Sequence, residues 1–193
     1  MKELLQRLNK PSEPPTKTPY PLHSDLQMKN ERRDVVLKKF PTPKDFILAF
    51  TFEKANLRYG HIRSVADAYN SGVMKLNELN FIYGNLTPAH FIESWINQFQ
   101  LYIGLPLETT QTIELATHLS DMMATLNVAE ITLFFRLIKR GKYGTQFGRF
   151  DPIQITAWLN EFKAERGRYI CSLPDNYESP ILQKAKQEYY GKA

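Results

Sequence analysis

The residues of this chain best suited to meeting a ligand lie in one short stretch, Gly141-Lys142-Tyr143-Gly144-Thr145-Gln146-Phe147-Gly148-Arg149-Phe150. Its three glycines allow positive φ or a close approach of backbone to a ligand. Tyr143, Phe147 and Phe150 are interleaved with Lys142 and Arg149. The segment before it adds Arg136, Lys139 and Arg140, whose spacings of three and four place them on one helix face. Rings that stack on bases, beside cations that neutralise phosphates, make up surfaces for single-stranded nucleic acid. Arg136, Lys139, Arg140, Lys142, Tyr143, Phe147 and Arg149 are therefore the candidate contacts for nucleic acid or another anionic partner. If all five cations met phosphates, log K would fall against log salt with a slope of about −3.5 to −4.5. The same residues also have a purely structural reading. Cations in a last helical turn complement the macrodipole, Gly141 is an ordinary helix stop, and loop rings pin a loop to a core.

Other chemistries find little support. Gly141 and Gly144 have the spacing of a KH-domain loop but lack the strands around it. No Gly-Lys-Ser/Thr follows the spacing of a P-loop. His23, His61, His90 and His118 are scattered without ligand spacing, and Cys171 has no nucleophile signature around it. No catalytic residue, metal site or cofactor is assigned, and a non-enzymatic protein is expected. The two helices joined at Asn127 invite comparison with a helix-turn-helix. The second, with Ile131, Leu133, Phe134, Phe135, Leu137 and Ile138, is apolar nearly all round, whereas a recognition helix must offer polar side chains to base edges. It reads instead as a central buried helix whose basic face emerges only at its end.

The elements that must position these residues carry strong local signals. Thr42-Pro43-Lys44-Asp45 starts a helix by cap, first-position Pro and third-position carboxylate, although Phe46–Phe52 could also form a strand. Residues 60–85 leave helix and strand open. Thr87-Pro88 opens a helix with Phe91, Ile92, Trp95, Ile96, Phe99 and Ile103 at helical spacing, and Leu86 is placed to staple onto Phe91. A second helix begins near Thr110. Asn127 with Glu130 forms a capping box for a third, Val128 to about Arg140, which stops at Gly141, and Leu126 with Ile131 gives it a staple. Asp151-Pro152-Ile153-Gln154 repeats the logic for a fourth, with a Phe150–Ile155 staple and an end at Arg166-Gly167. A short helix is expected from Ser179 to Tyr189. The fold class is thus all-α, a small irregular helical bundle with a Pro-rich N-terminal arm.

Seven of the twelve prolines fall within residues 1–43, so that stretch is expected to form no long regular element, and its middle, Lys10–Pro21, to be an extended linker. That region is expected to be a flexible basic arm, with short helices at Lys2–Asn9 and Ser24–Lys39. Residues 44–168 form the helical domain, and 169–193 a C-terminal extension. The single cysteine excludes an internal disulfide framework and suits a reducing compartment. No apolar run approaches the ~20 residues that cross a bilayer, so a cytoplasmic protein without membrane contact is expected. The net charge of +5 hints only mildly at anionic partners. Its distribution says more. Leu76–Phe135 contains six acids and neither Lys nor Arg, after which Arg136, Lys139, Arg140, Lys142 and Arg149 follow with no acid among them. Faces of opposite sign on one small domain would permit head-to-tail self-association.

The run Glu130-Ile131, Lys139-Arg140-Gly141-Lys142-Tyr143-Gly144, Phe150-Asp151-Pro152, Trp158-Leu159, Phe162 and Glu165-Arg166 resembles a family of small helical proteins from bacteriophages and integrative elements of anaerobic bacteria. The resemblance covers roughly residues 85–168, and the family has no established activity to carry over. It implies a mobile-element context: an accessory protein that binds nucleic acid or loads a replication partner. The alternative is a protein–protein interaction or structural adaptor that uses the same surface to dock an acidic protein.

Overall fold

Thr42-Pro43-Lys44-Asp45 does start a helix, and does so by the expected exchange. The Thr42 hydroxyl accepts from the Asp45 N–H at 3.2 Å, and the Asp45 carboxylate accepts from the Thr42 N–H at 3.1 Å. Similar local rules recur along the chain. A computed structural model describes residues 22–144, 150–180 and 183. Its helices are α1 (Leu22–Lys39), α2 (Pro43–Ala49), α3 (Phe52–Tyr59), α4 (Val65–Tyr69), α5 (Glu78–Tyr83), α6 (Thr87–Ile103), α7 (Thr109–Met122), α8 (Val128–Lys139) and α9 (Pro152–Cys171). The fold is all-α. Among the described residues the only β pairing is an isolated antiparallel bridge between Lys75 and Asn127.

The chain divides into two compact units, Met1–Lys38 and Lys39–Ala193. In the first, α1 is a regular helix of 18 residues, longer than the short one expected of a Pro-rich arm, because no proline falls between Pro21 and Pro41; Lys29–Val35 on it are exposed. The expected helix at Lys2–Asn9 and the linker Lys10–Pro21 lie outside the described residues, as does most of Ser179–Tyr189.

In the second unit the ambiguous Phe46–Phe52 stretch is helical but interrupted. Phe50 ends α2, and the Thr51 hydroxyl then caps α3. Within 60–85, Ser64 and Asp67 form a capping box for α4, and Glu78–Tyr83 forms α5. Between them Lys75 bridges to Asn127 and the chain around it, Met74–Asn77, hydrogen-bonds to the turn joining α7 to α8. Leu76 N–H donates to Leu126 O at 2.8 Å, and Val128 N–H to Met74 O at 3.1 Å. Helices α6 and α7 form a hairpin, and α8 lies at the centre against α3, α4 and α9. Every residue from Val128 to Arg136 is buried, which accords with a central helix rather than a recognition helix.

The core is a chain of rings. Phe46 meets Phe40, Phe50 and Phe91, Phe91 meets Trp95, Trp95 meets Phe135, and Phe135 joins Phe99 and Phe134. Edge-to-face and offset pairs of this kind add to the apolar area that each ring buries. The buried Trp95 indole N–H donates to Phe50 O at 2.9 Å, so the cost of burying its polar edge is met.

Two boundaries differ from the sequence expectation. Leu86 is itself the cap position of α6 and is 69% exposed, so the staple onto Phe91 does not close. The preceding turn, Thr87 N–H to Gly84 O, already sets the direction of entry. Helix α9 runs through Gly167 and across position 168 to Cys171. Tertiary contacts beyond the glycine hold that last turn: Tyr169 packs edge-on against Tyr69 at 5.8 Å, and its hydroxyl accepts from Asn70 Nδ2 at 2.6 Å. Those contacts offset the cost of a helical glycine, about 1 kcal/mol.

Candidate anion-binding surface

Helix α8 owes its position to a buried start. Asn127 Oδ1 accepts from Glu130 N–H at 2.9 Å, Glu130 Oε2 accepts from Asn127 N–H at 2.8 Å, and Asn127 Nδ2 donates to Ala68 O at 2.9 Å. The other Glu130 oxygen, Oε1, accepts from Arg166 Nε at 2.7 Å, so α9 is tied to the same point. With its first turn held, α8 delivers its basic residues at its far end.

Those residues have different surroundings. Arg136 is only 7% exposed. Its Nη1 donates to Gly60 O at 3.1 Å and to Tyr59 O at 3.4 Å, and its Nη2 donates to Ile62 O. The Tyr59 and Gly60 carbonyls lie at the C-terminus of α3, where Tyr59 O also accepts from Ile62 N–H at 3.0 Å, so the guanidinium sits on the negative end of that helix and reaches on to Ile62 in the turn after it. Its Nε is buried without a hydrogen-bond partner. Burial, followed by the like charges of Arg140 and Arg63, holds its pKa below the ordinary arginine value. The bond to Ile62 O sets Arg136 next to Arg63 in the α3–α4 turn, and Arg140 follows one helical turn later where α8 ends. Arg63 and Arg140 are exposed, and neither forms an ion pair with a described residue.

Lys139 lies between two rings, its Nζ 4.0 Å from the Phe52 centroid and 4.4 Å from that of Tyr102. Burial pulls its pKa below the usual lysine range. The Tyr102 hydroxyl donates to Lys139 O at 3.4 Å, and Tyr102 is 59% exposed.

After α8 the chain turns onto α9. Gly141 at φ 73° ends the helix. Gly144 at φ 121° brings the backbone over Trp158, where an added Cβ would lie 3.5 Å from Nε1. Lys142 is paired with Glu165 at 2.7 Å. Tyr143 is half-buried beside it, with a buried hydroxyl that makes no hydrogen bond of good geometry. Burial first, and then the charges of Glu165 and Glu161, push its pKa well above the ordinary tyrosine value. A phenol so placed is not a free stacking platform. Phe150 is buried against Phe99, so that ring belongs to the core. Phe147 and Arg149 lie outside the described residues.

Of the seven sequence candidates, the structure gathers Arg136, Lys139 and Arg140 in one place and sets Lys142 and Tyr143 against acids of α9. It adds Arg63 and Tyr102, which sequence reasoning passed over. No local pattern links either to α8; only the packing of α3 and α6 on that helix does so.

Elsewhere, an open depression of about 440 Å3 between α7 and the start of α9 is lined by Glu114, His118, Ile153 and Thr156 among others. Among the described residues no three His, Cys, Asp or Glu side chains are grouped to hold a metal ion, and no helix is long and apolar enough to cross a membrane. Comparison with protein-family models, curated proteins and solved structures gives no match to this chain.

Proposed function

We propose that this protein is a non-enzymatic helical module that binds the phosphate backbone of nucleic acid through the arginines gathered at the end of α8. The observation that carries the reading is geometric: Arg136, one helical turn before Arg140, is bonded to the carbonyl of Ile62, the residue before Arg63, so that the exposed Arg63 and Arg140 flank one buried guanidinium. Like charges held together repel, and an anion placed between the exposed pair relieves that repulsion. Arg136 is the fixed member, immobilised by three carbonyls. Arg63 and Arg140 supply the mobile forks that suit phosphate oxygens. Such a module fits the phage or mobile-element accessory role implied by the sequence resemblance, in the cytoplasm and near replication.

Fluorescence anisotropy with a labelled oligonucleotide tests the reading. The Arg63→Glu/Arg140→Glu double variant is expected to bind at least about tenfold more weakly than wild type, because two charge-assisted contacts become repulsions. Equal binding by the two proteins would overturn it. Tight, salt-sensitive binding to an acidic polypeptide without binding to the oligonucleotide would favour a protein-docking adaptor instead.

A further inference from the structure

We infer that the nucleic acid taken up at this surface is single-stranded, and that Tyr102 provides the platform on which one of its bases stacks. This rests on the phosphate-binding reading and adds a second, independent feature to it. Tyr102 stands near the end of α6 with its ring oriented by two contacts. One face lies over the Lys139 ammonium at 4.4 Å, and the hydroxyl donates to Lys139 O at 3.4 Å. The ammonium is itself held from the other side by Phe52 at 4.0 Å. Even with the Lys139 ammonium over its ring, Tyr102 remains 59% exposed. Its hydroxyl lies on the carbonyl immediately before Arg140, so the exposed ring stands beside the end of α8 that carries the arginines.

A ring fixed before binding loses little freedom when a base settles on it, so more of the stacking energy appears as affinity. Stacking on a protein ring requires a base whose own face is free, which a single strand offers and a continuous duplex does not. Stacking is tolerant of sequence, since every base has such a face. The arrangement therefore implies strand selectivity without base selectivity. Lys139, already engaged by two rings, positions Tyr102 and is not expected to contact phosphate.

The test compares oligothymidine, the same strand with abasic sites in place of its bases, and a blunt duplex, each against wild type, Tyr102→Leu, Tyr102→Phe and Arg63→Glu/Arg140→Glu. Wild type should favour oligothymidine over both other ligands, by about tenfold over the abasic strand. Tyr102→Leu should lose about that factor for oligothymidine alone, and Tyr102→Phe should recover most of it. The double arginine variant should lose all three ligands. Equal wild-type binding to oligothymidine and the abasic strand overturns the stacking inference whatever the fold of any variant. If the arginine variant is still defective in that case, the phosphate reading stands. Failure of wild type to bind any of the three overturns both.

Discussion

Arg136 shows how a residue chosen for its charge can be committed to structure. Its guanidinium donates to the carbonyls of Tyr59, Gly60 and Ile62; removing it strips Gly60 O and the buried Ile62 of that donor, while Tyr59 O keeps its bond from Ile62 N–H. Arg136→Met is expected to destabilise the protein by about 3 kcal/mol, since each orphaned buried acceptor costs about 1–3 kcal/mol when taken singly. A thermal melt reads this as a midpoint drop of roughly 10 °C; a drop of a degree or less would mean that the guanidinium is not capping α3. Arg136→Lys should rescue only in part, because one ammonium cannot span the positions that a fork reaches. Glu130 carries a second prediction at this scale. Burial raises its carboxyl above the usual range, and the opposing pull of the Asn127 N–H and of Arg166 only moderates the effect. The folded protein therefore holds the Glu130 proton more tightly than the unfolded chain does. This group's contribution is greatest below the unfolded pKa of about 4.3 and declines as pH rises from there through the folded value. Against Glu130→Gln, which keeps a capping side chain, wild type should lose relative stability as pH climbs from about 4. Urea unfolding midpoints across that range check it; wild type losing ground on acidification instead would reverse the sign and refute it.

Elements were legible wherever their signals were local. Thr42 with Asp45 and Asn127 with Glu130 are boxes readable from a four-residue window, and each forms with both of its bonds. Asp151 caps α9 through the N–H of Ile153, so the position was readable although the partner was not Gln154. What escaped depends on distant partners. Met74–Asn77 departs from helix because the α7–α8 turn offers it backbone acceptors and donors, and no periodicity inside 60–85 records that. Helix α9 passes Gly167 because Tyr169 docks on Tyr69 and Asn70 beyond it. That glycine now looks like a removable weakness. An added Cβ would meet nothing within 4 Å, and its φ lies outside the left-handed range. Gly167→Ala is expected to stabilise the protein by about 0.5–1 kcal/mol. Chemical denaturation measures it, and a destabilised variant would show that α9 does not continue through this position.

At the scale of the whole domain, the candidate surface was half legible. The basic end of α8 stands out in sequence because no Lys or Arg occurs from Leu76 to Phe135. Which of its cations stay available does not: Arg136 turns inward to α3, Lys139 slides between Phe52 and Tyr102, and Lys142 pairs with Glu165. Arg63 and Tyr102 enter from α3–α4 and α6, too far along the chain for any spacing rule to find. The structure shifts the centre of the proposed contact away from the Gly-aromatic segment and onto Arg63, Arg140 and the exposed Tyr102. The phosphate contact itself is tested most directly by the salt dependence of oligonucleotide binding in wild type and in Arg63→Gln/Arg140→Gln. Log K should fall linearly with log salt for wild type, and neutralising the two arginines should flatten the slope by about 1.4 for a single strand, at about 0.7 per phosphate contact. Identical slopes for the two proteins, or binding indifferent to salt, would contradict it.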